Sequence, residues 1–223
     1  MKNKMISNVK ELFIQDTRNS RFVPATIGIV DETKRSFFEN WKLFSDHFKV
    51  RERIIFSINE VTYGLFTKIP DLKYKDFTFE PIQLQAFLTL STYEWSGKEY
   101  PFVSDFKTAP WNSNSNKNNK DTVRLFSGSM TSLFYHIIKL NLGRLEEHSP
   151  ILVDIESCFG EKEDYINRLG LRIKGAHDVL YGLQTYELYS IGGGDPKYTK
   201  EEHAIWVKAY EETQLNRKDK MKI

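Results

Sequence analysis

The sequence predicts an α+β fold, with a small antiparallel sheet and helices in the N-terminal half and a mainly helical C-terminal half. Three observations predict it. Residues between Ile82 and Leu90 alternate with period two, most other apolar residues recur at three- and four-residue steps, and a polar Asn/Ser stretch separates the halves. Within residues 5–14, Ile6, Val9, Leu12 and Phe13 share one helical face. Residues 21–31 carry Phe22, Val23, Ile27, Ile29 and Val30 around Pro24 and Gly28, the pattern of one or two short strands. Asp31 can cap a helix in which Phe37, Phe38, Trp41, Phe44 and Phe48 form an aromatic stripe. Ile54, Ile58, Val61, Leu65 and Ile69 continue the helical period up to Pro70. Phe77 and Phe79, then Ile82 to Leu90, change the period to two. Ser96-Gly97-Lys98 reads as a turn, and Tyr100-Pro101-Phe102-Val103 as a returning edge strand.

The second half reads as helices. Ser129 can cap one that uses Met130, Leu133, Phe134, Ile137 and Ile138. Ser149-Pro150 opens a short one, and residues 163–190 a long one in which Gly170, Gly175 and Gly182 each cost roughly 1 kcal/mol relative to alanine. Gly192-Gly193-Gly194 ends it, and Thr199 with Glu202 forms a capping box for a last helix carrying Trp206, Val207 and Tyr210. The expected organisation is a mixed region over 1–103 with a β-hairpin, a polar loop over 104–121, a helical region over 122–215 and a basic tail over 216–223, all in one compact unit.

Composition narrows the chemistry. The chain has 223 residues, 40% hydrophobic and 28% charged, and can bury roughly 70% of its unfolded surface without a staple. Thirty-two Lys and Arg against 30 Asp and Glu leave +2, too even for bulk charge to imply nucleic acid. After Met1-Lys2-Asn3-Lys4-Met5, charge returns four residues on, at Lys10, so no secretory leader is expected. The longest uncharged stretches, 81–93 and 125–138, are shorter than the ~20 residues of a membrane span. A cytoplasmic protein, or one assembled there into a virus particle, is the resulting expectation. The single cysteine, Cys158, excludes an internal disulfide framework and paired-cysteine zinc sites. No P-loop, nucleophile elbow or HExxH is present, and the five histidines are scattered, so neither a cofactor nor a metal is expected.

Two sets of residues could still carry function. Trp111, Lys117, Lys120 and Arg124 around the polar loop could stack a base and neutralise phosphates, although Asp105 and Asp121 flank them. The basic run near the C-terminus could touch an anionic surface. Arg172 and His177 show an Arg-x4-His spacing that resembles the motif of HEPN-type ribonucleases. That resemblance implies an all-helical domain pairing two motifs across a dimer, with His177 as general acid or base and Arg172 holding phosphate. Ile173 departs from the polar residue that family carries after the arginine.

Aromatic residues make up 14% of the chain, and Tyr186 and Tyr189 lie off the predicted inward face, as they would on a second contact surface. Lacking catalytic motifs, the sequence predicts a non-catalytic interaction subunit, a ring or connector component of a bacteriophage-type particle. Its partners would be proteins, in a homo-oligomer or a hetero-assembly. The alternative is the HEPN-like ribonuclease.

Overall fold

A computed structural model describes residues 12–48, 61–95, 97–112, 124–143, 149–156, 172–178, 185–192 and 196–221. Among these residues its centre is a nine-stranded mixed sheet made of β1 (Leu12–Asp16), β2 (Arg21–Ile29), β3 (Val61–Lys68), β6 (Ile82–Trp95), β7 (Lys98–Thr108), β8 (Phe126–Ser127), β9 (Ile151–Glu156), β10 (Arg172–Asp178) and β11 (Thr185–Ile191). The strand order is β10-β11-β9-β7-β6-β3-β2-β1-β8. A separate ribbon pairs β4 (Lys73–Tyr74) with β5 (Phe77–Thr78). Among the described residues three α-helices accompany them: α1 (Ser36–Phe48), α2 (Ser129–Leu142) and α3 (Pro196–Lys220).

This corrects the expected small antiparallel sheet and helical second half. Residues 163–190 do not form one helix: β10 and β11 occupy 172–178 and 185–191, paired antiparallel. The segment after Pro150 is β9 rather than a short helix, and Val61–Lys68 is β3 rather than the end of a helix. Leu12 and Phe13 belong to β1, while most of the helix expected over 5–14 lies outside the described residues. Nor is the strand containing Pro101 an edge, because β7 lies between β6 and β9.

The two faces of the sheet carry different helices. Phe87 of β6 meets Phe38 and Trp41 of α1, whereas its neighbour Leu88 pairs with Tyr63 and Phe106, which meet His136 and Phe134 of α2. Successive strand residues point to opposite faces, so α1 and α2 sandwich the sheet. Gln83 through Thr89 are consequently all buried. Trp41 fixes α1 by donating its indole N–H to the Leu84 carbonyl at 2.8 Å. Gly64 is required where β3 passes under α1: a Cβ there would lie 2.6 Å from Val30 and 2.7 Å from Leu84.

Helix α3 packs on α2 and seals the sheet. Phe13 of β1 has no strand partner toward β8, which pairs only at Gln15 and Asp16. Instead its N–H donates to Gln214 Oε1 at 2.8 Å and its carbonyl accepts from Arg217 at 2.7 Å. Side chains of a helix thus satisfy an edge that would otherwise template pairing with another chain.

Between α2 and α3, Tyr210 stacks on Tyr135 at 4.5 Å and its hydroxyl meets Ser132 Oγ at 2.6 Å. Burial pushes the Tyr210 phenol up to about 12. A phenol raised in the fold stabilises fully below its unfolded value of about 10 and loses that contribution as pH rises through the folded value. Stability should therefore fall by about 2–3 kcal/mol between pH 10 and 12. Denaturant titrations across that window should show a shallower fall for Tyr210→Phe.

Candidate functional site

The sheet contains one parallel pair among its described ladders, β7 with β9, joined through α2. Its register holds at two positions, Phe102 with Leu152 and Val103 with Val153, while β7 runs on to Thr108 and β9 to Glu156. The pairing stops at a β-bulge: on β6 the register moves from Thr89–Asp105 to Leu90–Val103, leaving Ser104 as the extra residue of β7. Bulges of this kind re-aim a strand and are over-represented beside functional sites. In sheets with parallel strands, ligands gather at the carboxyl ends of those strands, beside the N-terminus of the connecting helix.

A buried polar hub fixes the path from β7 to α2. Gln85 is the extra residue of a second bulge, skipped between Leu65–Ala86 and Phe66–Leu84. Its Oε1 accepts from Trp111 Nε1 at 3.0 Å and Asn112 Nδ2 at 2.8 Å, and its Nε2 donates to Thr67 Oγ1 at 2.7 Å. Asn112 Oδ1 then accepts the Phe126 N–H at 2.8 Å, and the Leu125 N–H donates to the Trp111 carbonyl at 2.9 Å. The end of β7, the turn at Trp111 and the entry to α2 are held as one block.

That block delivers an unusual helix start. Gly128, at φ 89°, precedes α2 and offers no side-chain cap. Ser129, the first helical residue, is 3% exposed, and its Oγ finds no hydrogen-bond partner among the described residues. The Arg217 guanidinium reaches the start of α2, 3.4 Å from where a Gly128 Cβ would stand. Four residues before Gly128, the Nε of Arg124 is also buried and unpartnered among the described residues. Helix N-termini carry unsatisfied N–H groups and partial positive charge, and with the Arg217 guanidinium and the Ser129 hydroxyl the place is rich in donors and suits an anion rather than a cation.

The residues singled out in the sequence fall elsewhere. Trp111 is 2% exposed, inside the aromatic cluster of Trp41, Phe44 and Phe79, so its ring is not offered to a base. Arg124 is half-buried, and its carbonyl accepts from Thr17 Oγ1. Lys117 and Lys120 lie outside the described residues. Tyr186 and Tyr189 stand on β11, in register with His177 and Ile173 of β10.

The ribonuclease reading is corrected by the backbone. Arg172 and His177 lie on β10, where five residues span roughly 16 Å, and not on a helix of an all-helical pair. The ring-or-connector reading is corrected as well. The aromatic excess that suggested contact surfaces fills the core, with Trp41, Trp111, Phe87, Phe126 and Phe134 fully buried, and the residues 216–220 of the supposed tail close α3. What sequence reasoning missed is Gly128, Gln85 and Arg217. Ser129 was visible as a helix start, and Arg217 only as part of a basic run.

Among the described residues no three His, Cys, Asp or Glu side chains stand together as a metal site, and no helix is long and apolar enough to cross a membrane. No protein-family model matches the chain. No curated protein matches it either. Among solved structures it is similar to Arabidopsis thaliana NAA60 in complex with acetyl-CoA, at 12% identity over 74% of this chain and 98% of that one, with a TM-score of 0.44. It is also similar to an N-acetyltransferase from Staphylococcus aureus, at 12% identity over 75% and 97% with a TM-score of 0.44. A third is an aminoglycoside acetyltransferase from Legionella pneumophila, at 12% over 78% and 94% with a TM-score of 0.41.

Proposed function

We propose that the chain is an acyltransferase that binds a phosphate-bearing acyl donor of the coenzyme A type along β7, α2 and β9 and passes its acyl group to an amine. One observation carries the reading: the uncapped start of α2, with Ser129 Oγ buried and unpartnered at its first position. Each buried group left without a hydrogen bond costs about 1–3 kcal/mol, and a phosphate oxygen would supply the missing acceptor. The set fits a polyanion, since it consists of N–H and O–H donors and a guanidinium.

The remaining parts serve position. Gln85 and Asn112 hold the entry to α2 at a fixed place relative to the end of β7. The bulge at Ser104 bends β7 at the point where the parallel register with β9 ends. When bound, a thioester donor supplies an acyl carbonyl activated toward attack by an amine. The names of the similar solved structures, acetyltransferases and one complex with acetyl-CoA, are consistent with this choice of donor. A cytoplasmic setting fits it too.

Calorimetry with coenzyme A and a thiol-release assay with acetyl-CoA test the reading. Peptide N-termini, lysine peptides, polyamines and aminoglycosides serve as acceptors. The expected result is micromolar to millimolar binding of coenzyme A and thiol release that depends on one amine class. Absence of coenzyme A binding at millimolar concentration would sink it.

A further inference from the structure

We infer that the last helix supplies part of the phosphate site: Arg217, with Gln214 one turn before it, closes over the start of α2 as an anion-binding arm. The inference rests on the reading above for the location of the site, and it adds a binding element from a distant part of the chain.

The argument begins with an electrostatic conflict. The guanidinium of Arg217 lies against Gly128, so a full positive charge abuts the positive end of a 14-residue helix. Nothing acidic relieves it there in the described contacts, since the one hydrogen bond recorded for Arg217 goes to the Phe13 carbonyl. That bond uses one of five N–H donors. The Phe22 ring, 5.5 Å from the guanidinium carbon, holds its plane. A phosphate between Arg217 and the first turn of α2 would satisfy both positive groups and add a charge-assisted pair.

An independent sign of a missing acceptor stands at the same place. Ser129 is 3% exposed, and its Oγ, at the first helical position, has no hydrogen-bond partner among the described residues. Gln214 is 8% exposed, and its Oε1 takes the Phe13 N–H, which fixes the side of α3 that faces β1. Gln214 and Arg217 are three residues apart and share a face of α3. The preceding turn of that face is joined to α2, because Ser132 Oγ bonds both the Gly128 carbonyl and Tyr210. Ser127, Gly128 and Arg217 are only half-buried, which leaves the place open to a ligand from solvent.

The test measures binding of inorganic pyrophosphate and, separately, of coenzyme A by calorimetry. It compares the native chain with Arg217→Ala, Arg217→Met and Ser129→Ala, and circular dichroism and thermal melting establish that each variant is folded. Arg217→Met keeps the stem over Phe22 if the alanine variant fails to fold. The expected result is pyrophosphate binding by the native chain that weakens roughly 10- to 100-fold without the guanidinium, and a smaller loss for Ser129→Ala. Unchanged pyrophosphate affinity in a folded Arg217→Met variant, or no pyrophosphate binding by the native chain, overturns the inference. Coenzyme A separates it from the acyltransferase reading. Arg217-dependent pyrophosphate binding without coenzyme A binding or thiol release leaves the arm standing and removes the reading. Thiol release with an unchanged KM for acetyl-CoA in Arg217→Met does the reverse.

Discussion

Replacing Trp111 with alanine should lower the unfolding free energy by about 4 kcal/mol, read from urea titrations at neutral pH. The side chain is 2% exposed and meets the rings of Trp41, Phe44 and Phe79 edge-on, with centroids 6.3, 5.4 and 5.0 Å away. Its removal leaves a cavity that three large rings cannot collapse into, and it strips the Gln85 amide of one donor. Domains of this kind are stable by roughly 5–15 kcal/mol, so the loss is a large fraction of the total. A loss under about 1 kcal/mol would mean that Trp111 is not packed as described.

The second large effect belongs to Gln85. Gln85→Leu should destabilise by about 2–4 kcal/mol, although leucine is similar in size and the site is fully buried. The leucine would leave the Trp111 and Asn112 side-chain donors facing an apolar atom, so the cost is that of two orphaned groups. Because the two residues share a bond, Trp111→Ala and Gln85→Leu together should cost less than the sum of the single losses. Strict additivity in a double-mutant cycle would contradict the hub. The entry to α2 hangs from the same network, so coenzyme A affinity should also fall in Gln85→Leu.

How far the chain could be read from its residues is clearest element by element. In α1, Phe38, Trp41 and Phe44 recur at helical steps and are buried, because that helix has one wet face. Residues 21–31 read as strand and contain β2. The errors share a cause. β3 and β9 have cover on both faces or apolar neighbours in a row, as in Ile151, Leu152 and Val153, so alternation is erased and a helical period can be traced through them. In β3, Val61, Thr62 and Thr67 were poor helix formers, and Gly64 a costly one, so propensity dissented from period. Gly175 sent the same message: costly in a helix, it sits where the β10–β11 register shifts at a bulge. The α2 start was visible as a helix start, but its missing acceptor was not. Burial of Ser129 and the arrival of Arg217 are tertiary facts that no spacing records.

The sealing of Phe13 by Gln214 and Arg217 joins positions 201 and 204 apart in the chain. Contacts of such separation form late, since the intervening polymer must first be gathered at an entropic cost that only the assembled sheet offsets. Until then the backbone at Phe13 lies bare, and a half-assembled molecule presents a sticky rim to its neighbours. Refolding yield should accordingly depend on concentration long before equilibrium stability does, with the last helix acting as the clasp that ends the vulnerable period.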